Sequence, residues 1–291
     1  MDAQFTAARD FILRQGRLLE RRLFATCFEG APAAGVADAI RGYRNDDGGF
    51  GHGLEPDKRC PASLPIDVEV ALQALVTAGI RDEELVSGAC DYLATIAAAA
   101  DSGGAVPPAF PVIEGYPRAA HWTEWTYVPS VNPTAGLVGL LHQLGARHPW
   151  VDEAAAWCWS QIEGGLLPDE VHALSEVFAF LGHAPERDRA EKAAGQVRDQ
   201  LISTAMFQLD ANAEGYGLSP LNIAPAADSM WRALFSEEVI GAHLDSLQRK
   251  QESDGGWPIT WEPPSEASRL EWRGIVTIGA LRTLTSYGRL G

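Results

Sequence analysis

The stretch Gln251-Glu252-Ser253-Asp254-Gly255-Gly256-Trp257, followed by Pro258 and a helical run from about Glu271 to Leu284, decides how this chain is read. It joins a helix end, a Gly-Gly turn that lets the backbone reach positive φ, a large aromatic anchor and a second helix. Near the other end, Arg44-Asn45-Asp46-Asp47-Gly48-Gly49-Phe50 repeats the arrangement without the Gln. Asp47 answers Asp254, Phe50 answers Trp257, and Ala71-Leu72-Gln73-Ala74-Leu75 answers Ala280-Leu281-Arg282-Thr283-Leu284. Asp before Gly-Gly suits local hydrogen bonding, so Asp47 and Asp254 are expected to satisfy turn backbone. One supersecondary unit at both ends makes first and last units natural neighbours.

Between the two copies the chain reads as helix after helix. Apolar residues recur at helical spacing over Ala3–Cys27, Ala33–Tyr43, Asp67–Ala78 and Arg81–Ala100. A long loop, Asp101 to Asn132, carries many prolines together with Phe110, Tyr116, Trp122, Trp125 and Tyr127. Such aromatic content argues against disorder, and a loop over one mouth of the fold is expected. Asn132-Pro133 resembles an N-cap followed by Pro at the first helical position, opening a helix to Leu144. Further helices are expected over Pro149–Ile162, Asp169–Leu181, Pro185–Leu201, Asp228–Phe235 and Ser236–Gln251. Glycine turns at Gly48, Gly103, Gly164, Gly215 and Gly255 recur about every 40–60 residues, the length of a helix pair plus loop. The expected fold is all-α: one α/α toroid of five to six hairpins and 11 or 12 helices, with an open solenoid as the alternative.

Composition excludes several function classes. The 291 residues are 46% hydrophobic and carry a formal net charge of −16, which argues against nucleic acid or another polyanion as partner. No apolar run approaches the roughly 20 residues of a membrane span. Cys27, Cys60, Cys90 and Cys158 lie far apart, as free and mostly buried thiols in a reducing compartment. The start Met1-Asp2-Ala3-Gln4 lacks a signal-peptide pattern, so a cytoplasmic location is expected. Among nine Trp, Trp150, Trp157 and Trp159 read as core of one helix, while Trp122, Trp125, Trp257, Trp261 and Trp272 flank loops.

Gln-x-x-Asp-Gly-Gly-Trp followed by an Ala-Leu helix resembles the QW-type repeat of the terpene cyclase and protein prenyltransferase superfamily, whose members fold as α/α toroids. The resemblance implies a terpene cyclase-like or lyase-like enzyme acting on an isoprenoid or other largely apolar small molecule. Proton-initiated members carry a D-x-D-D motif at the start of an inner helix. Here the comparable place is Pro65-Ile66-Asp67-Val68-Glu69, with Val68 where the middle Asp would stand. The prenyltransferase zinc set is not reproduced, because no Cys or His follows Asp254. No metal is expected, and Mg²⁺ only if the substrate is a diphosphate.

Helix N-termini and the loops before them supply the candidate site. The dense run His52 to Asp67 is costly to order without a purpose. Asp57, Asp67 and Glu69 are the candidate acids, with Glu271 as a further catalytic carboxylate. Substrate contacts are expected from His52, Glu55, Arg59, His121, Trp122, Asn132, Asp228, Trp257, Trp261 and Arg273. Arg59 and Arg273 would orient an anionic group, and Trp122, Trp257 and Trp261 would form an apolar wall. The plainer reading makes Asn132 and Asp228 helix caps and pairs Glu271 and Arg273 with neighbours. Carboxylates beside aromatic platforms also suit a carbohydrate-active toroid, either glycoside hydrolase or polysaccharide lyase. A non-catalytic toroid that binds a ligand or a protein is the third alternative.

Overall fold

A computed structural model describes residues 2–290, and among them every regular element is helical. The α-helices are α1 (Ala3–Gln15), α2 (Leu18–Glu29), α3 (Ala34–Arg41), α4 (Pro65–Ala78), α5 (Glu83–Ala100), α6 (Val131–Gln143), α7 (Pro149–Glu163), α8 (Val171–His183), α9 (Arg187–Ser203), α10 (Pro220–Ile223), α11 (Glu237–Arg249) and α12 (Glu266–Ser286). Short 3₁₀ turns lie at Pro111–Gly115, Glu124–Tyr127 and Met230–Leu234. None of these helices is long and apolar enough to cross a membrane.

The even-numbered helices are one another's neighbours: α2 packs on α4, α4 on α6, α6 on α8, α8 on α10, and α12 on α2. Helices α1 and α12 also pack together, so the two ends of the chain meet. One apolar core runs through all of this, from Ala8 and Phe11 of α1 to Leu281 and Leu284 of α12. Trp150 and Trp159 belong to it, whereas Trp157 only packs against its edge. All four cysteines are unpaired, and Cys60, Cys90 and Cys158 are buried.

The two Gly-Gly turns share one hydrogen-bond pattern. Asn45 N–H donates to Gly49 O at 2.9 Å and Gly48 N–H to Asn45 O at 3.1 Å; Glu252 N–H donates to Gly256 O and Gly255 N–H to Glu252 O, both at 2.9 Å. Each aspartate then accepts from the second glycine, Asp47 Oδ1 from Gly49 N–H and Asp254 Oδ1 from Gly256 N–H. Gly48 at φ 85° presses against Gly88 of α5, and Gly255 at φ 96° presses against Ala7 of α1. Gly104, in the loop before α6, makes the equivalent approach to Ala154 of α7. The last turn therefore touches the first helix as the earlier turns touch the next odd-numbered helix.

Several expected boundaries differ. The run Ala3–Cys27 is two helices, because Gly16 and Arg17 are extended (ψ 146° and 171°). The apolar period runs on across the break and hides it. The break frees Arg17 to pair with Glu20 at 2.8 Å and to donate to Leu54 O at 2.8 Å, propping up the loop that carries Asp57. Helix α12 begins at Glu266, not Glu271, with Ser265 capping Ser268 N–H. Asn132, at φ −92° and ψ 117°, has the extended backbone of an N-cap before Pro133 and kinks α6 there, but no side-chain capping hydrogen bond accompanies it. Asp228 does not cap either; Ser229 Oγ accepts from Trp231 N–H instead.

Candidate functional site

The N-terminal ends of α4 and α12 and the loops before them gather a buried polar cluster. Loop 52–64 is fixed from one side by the loop after α5: Arg59 N–H donates to Pro117 O at 3.0 Å and Ala119 N–H to Asp57 O at 2.8 Å. Beside this pairing the Asp57 and Lys58 side chains are both buried. Lys58, which the sequence reading passed over, has 0% of its surface exposed. Its Nζ lies 2.6 Å from Glu55 Oε2, 3.2 Å from Asp67 Oδ2 and 4.7 Å from the centre of the Trp122 ring. Burial alone would lower the Lys58 pKa, but the charges of Asp67 and Glu55 outweigh it and raise it. Burial pushes Asp67 up to about 6, against the pull of Lys58 and of the Glu55 N–H that it accepts at 2.8 Å. Asp67 thus sits behind Lys58 as a structural counter-ion, and Trp122 packs on the ammonium.

Asp57 is different. It is 2% exposed, its Oδ2 accepts from Trp261 Nε1–H at 3.0 Å, and its Oδ1 has no hydrogen-bond partner in the protein. Burial pushes its carboxyl up to about 7, with the Glu55 charge adding to the rise and the Trp272 and Trp261 indoles and Lys58 opposing it. His121 Nε2 stands 3.5 Å from Oδ2. Because burial lowers the His121 pKa, the imidazole facing Asp57 is mostly uncharged at neutral pH and the contact is not an ion pair. Half of the orphaned buried atoms in the described residues, Asp57 Oδ1, Asp67 Oδ2, Trp122 Nε1 and Trp272 Nε1, belong to this one region.

The rim beyond Asp57 is aromatic and partly open. Trp261 meets Trp272 edge to face at 5.1 Å and Tyr216 at 5.7 Å. The Tyr216 hydroxyl lies 2.5 Å from His172 Nε2, and His172 Nδ1 lies 2.5 Å from Glu170 Oε1. Burial alone would raise Glu170, but the hydrogen bond and charge of His172 bring it below the usual range. Of these residues the sequence placed Trp261 and Trp272 beside loops, and Tyr216, His172 and Glu170 were not expected. The signal was there in Glu170: an acid directly before an apolar helix is an N-cap, and it accepts from His172 and Ala173 N–H.

Deeper between α4, α6 and α8, Glu69 faces Glu176. Burial raises both carboxyls, Glu69 well above its usual range with Glu176 adding to the rise, and Glu176 to about 7. Gln73 Nε2–H donates to Glu69 Oε1 at 3.0 Å. Gly136 of α6 makes the room, since a Cβ there would stand 1.8 Å from Glu176 Oε2 and 3.1 Å from Glu69 Oε1. A carboxyl whose folded pKa is raised favours the fold while protonated, and that stability is lost as pH climbs from its unfolded value to its folded one. Glu176→Gln is therefore expected to raise stability at about pH 8 by on the order of 1–3 kcal/mol and to change little at about pH 5. Thermal unfolding at both pH values measures this, and a loss at the higher pH would rule it out.

The remaining expected residues fall outside this cluster or serve the scaffold. Arg59 pairs with Glu271 at 2.9 Å and donates to Ser268 Oγ at 2.8 Å, closing the gap between loop 52–64 and α12. Trp257 is core, its indole N–H capping Leu247 O of α11 at 2.7 Å, and forms no pocket wall. Arg273 is held by Asp254 through two bonds of 2.8 and 2.7 Å and lies over Phe11, so it is not free to orient a ligand. His52 is exposed and bonds Asn45, and Asp228 is exposed far along the chain near Ser286. No side-chain hydrogen bond joins Asn132 to the cluster, and its carbonyl accepts from Ser130.

A cleft of ≈ 820 Å³ opens at the other end of the helices, lined by Cys27, Thr77, His243 and Arg282 among others. Thr77 stands ten residues after Asp67 on α4, about 15 Å along the axis. Volume favours that cleft, but none of the orphaned buried atoms lines it. Chemistry favours Asp57.

No family model matches the chain, and no curated protein matches it. One solved structure, described as the crystal structure of a protein from Actinoplanes, is similar with a TM-score of 0.58 at 16% identity, over 96% of this chain and 99% of that one. At that identity the likeness concerns the fold alone.

Proposed function

We propose that the helices close into an α/α toroid and that the chain is a terpene cyclase-like or lyase-like enzyme. In this reading Asp57 protonates a small, largely apolar substrate bound against Trp261, Trp272 and Tyr216. The observation that carries the reading is the Asp57 carboxyl: buried, with burial pushing it up to about 7, held through one oxygen by Trp261 and without a hydrogen-bond partner on the other. A carboxyl kept neutral at working pH is what general-acid chemistry needs, and the ring faces beside it stabilise developing positive charge.

The test begins with thermal shift of the purified protein against farnesyl and geranylgeranyl diphosphates and the matching alcohols, with and without Mg²⁺. A ligand that binds only the native state raises the melting temperature. On any substrate so found, Asp57→Asn is expected to lower the rate by about 10²–10⁴ without loss of fold. Because the acid must carry its proton, the rate falls as pH rises through about 7. A fully active Asp57→Asn enzyme sinks the reading. A carbohydrate substrate is the second reading, favoured by the Tyr216–His172 contact against the Trp261 ring. Stabilisation by oligosaccharides alone would select it.

A further inference from the structure

We infer that a cleft between α7 and α9 is a binding site for a small hydroxylated ammonium ion, such as an amino sugar or amino alcohol. It stands independently of the role proposed for Asp57 and shares no residue with that cluster. The cleft measures ≈ 440 Å³, within the about 300–1,000 Å³ typical of small-molecule sites. Helix α7 lends it one face, with Asp152, Trp159 and Glu163 at helical spacing. The start of α9 adds Glu186 and Arg189, and His142 in the last turn of α6 completes the wall.

The observation that points to a ligand is a pair of unsatisfied polar atoms. Trp159 is 4% exposed, yet its Nε1–H has no hydrogen-bond partner, and neither has the buried Nδ1 of His142. Both rings pack on Phe180, with centres 5.1 and 6.2 Å from it, so the two orphaned groups are neighbours. Buried polar groups are normally paired, and two left open in the wall of one cleft mark where a bound molecule supplies the partners. The indole N–H requires an acceptor oxygen. Burial lowers the His142 pKa against the charges of Glu186 and Asp152, so its ring is mostly uncharged at neutral pH. Its Nδ1 then donates in one tautomer and accepts in the other, and a hydroxyl complements either. Hydroxyl groups therefore fit both orphans.

The surrounding charges select a cation. Arg189 covers the Trp159 ring at 4.0 Å, and its guanidinium is already held by Glu163 at 2.7 Å. Glu186 stands 3.9 Å from the same guanidinium, and Asp152 has no ion-pair partner among the described residues. Three carboxylates thus line the cleft against one arginine. An anion would meet that excess, whereas an ammonium offsets it. No three His, Cys, Asp or Glu side chains among the described residues are grouped as metal ligands, which leaves an organic cation.

The experiment titrates the full chain with glucosamine, which joins hydroxyls to an ammonium, at constant ionic strength. In isotope-labelled protein the Trp159 indole resonance, assigned through the backbone, is expected to shift and saturate. Glucose and N-acetylglucosamine keep the hydroxyls without the charge, and each is expected to bind about three- to fivefold more weakly, the worth of an exposed charge pair. Putrescine keeps the charge without the hydroxyls, and is expected to bind about tenfold more weakly for want of two hydrogen bonds. Asp152→Asn, at an exposed position, is expected to weaken glucosamine about threefold and to leave glucose as it was. A Trp159 resonance that stays in place up to the solubility limit of glucosamine overturns the site. Equal affinity for glucosamine and glucose, or an unchanged glucosamine affinity in Asp152→Asn, overturns the cationic ligand. Putrescine bound as tightly as glucosamine overturns the match between hydroxyls and orphans.

Discussion

Lys58→Met is expected to destabilise the protein by about 3–5 kcal/mol at about pH 8, because removing one partner strands two buried carboxylates. Lys58 has no exposed surface, and Glu55 and Asp67 sit at 2.6 and 3.2 Å from its ammonium. Burial already pushes Asp67 up to about 6 with Lys58 in place, and without the ammonium it rises further. A raised folded pKa makes the carboxyl stabilising only while protonated, so the loss shrinks as pH falls through that value. Urea unfolding at about pH 5 and about pH 8 therefore yields two different losses, the smaller at the lower pH. Equal losses at both would show that packing against Trp122, rather than charge, sets the effect. The triple change Glu55→Gln, Lys58→Met and Asp67→Asn supplies the control. With no buried charge left, it is expected to cost less than Lys58→Met alone.

The same loop marks where sequence reasoning reached and where it stopped. A charged, proline-rich run between two helices pointed to His52–Asp67, and Glu55 and Asp57 do lie at the centre of the cluster. Within that run, though, a lysine reads as a solvated side chain. Only the pairing of loop 52–64 with Pro117–Ala119 turns Lys58 inward, and that pairing joins residues some sixty positions apart. Local reading also ranked Asp67 beside Asp57, since both are acids near a helix start. What separates them is tertiary: Asp67 faces the Lys58 ammonium and accepts from Glu55 N–H, whereas Asp57 Oδ1 has neither a cation nor a hydrogen-bond donor. Glu69 was visible as an acid in the otherwise apolar α4. Glu176 stands equally alone on the apolar α8, and Gly136 marks the place on α6 between them. Each is unremarkable by itself, and only the adjacency of α4, α6 and α8 makes them one pair.

The helices and their order were far more legible, because hydrophobic period and the Gly-Gly turns are local signals. The turn aspartates satisfy backbone as expected. Trp257 and Arg273 were misplaced for a related reason: an aromatic and an arginine near a helix start suit a pocket as well as a joint. At the joint, Trp257 N–H donates to Thr277 Oγ1 and Arg273 clamps Asp254, so both residues lock the turn onto α12.

That joint carries the second large effect. Gly255→Ala is expected to cost about 2–5 kcal/mol, the sum of a left-handed conformation for a residue with a Cβ and overpacking against neighbouring backbone. Gly255 has φ 96°, and a Cβ there would stand 2.1 Å from Ala7 O of α1, a backbone atom with no rotamer to escape into. Gly165 is the control, since it has φ 65° with nothing within 4 Å of a built Cβ. Gly165→Ala should therefore show only the conformational part, about 1–2 kcal/mol. The difference between the two isolates the contact by which the last turn meets the first helix, where Gln251 Nε2–H also donates to Gln4 O at 2.8 Å. Gly48→Ala should behave like Gly255→Ala, because a Cβ there would stand 2.6 Å from Gly88 O of α5. Denaturant unfolding of the three variants measures all of this together. Equal, small losses at Gly255 and Gly165 would mean that α1 yields freely, and the contact between the chain ends would then contribute little to stability.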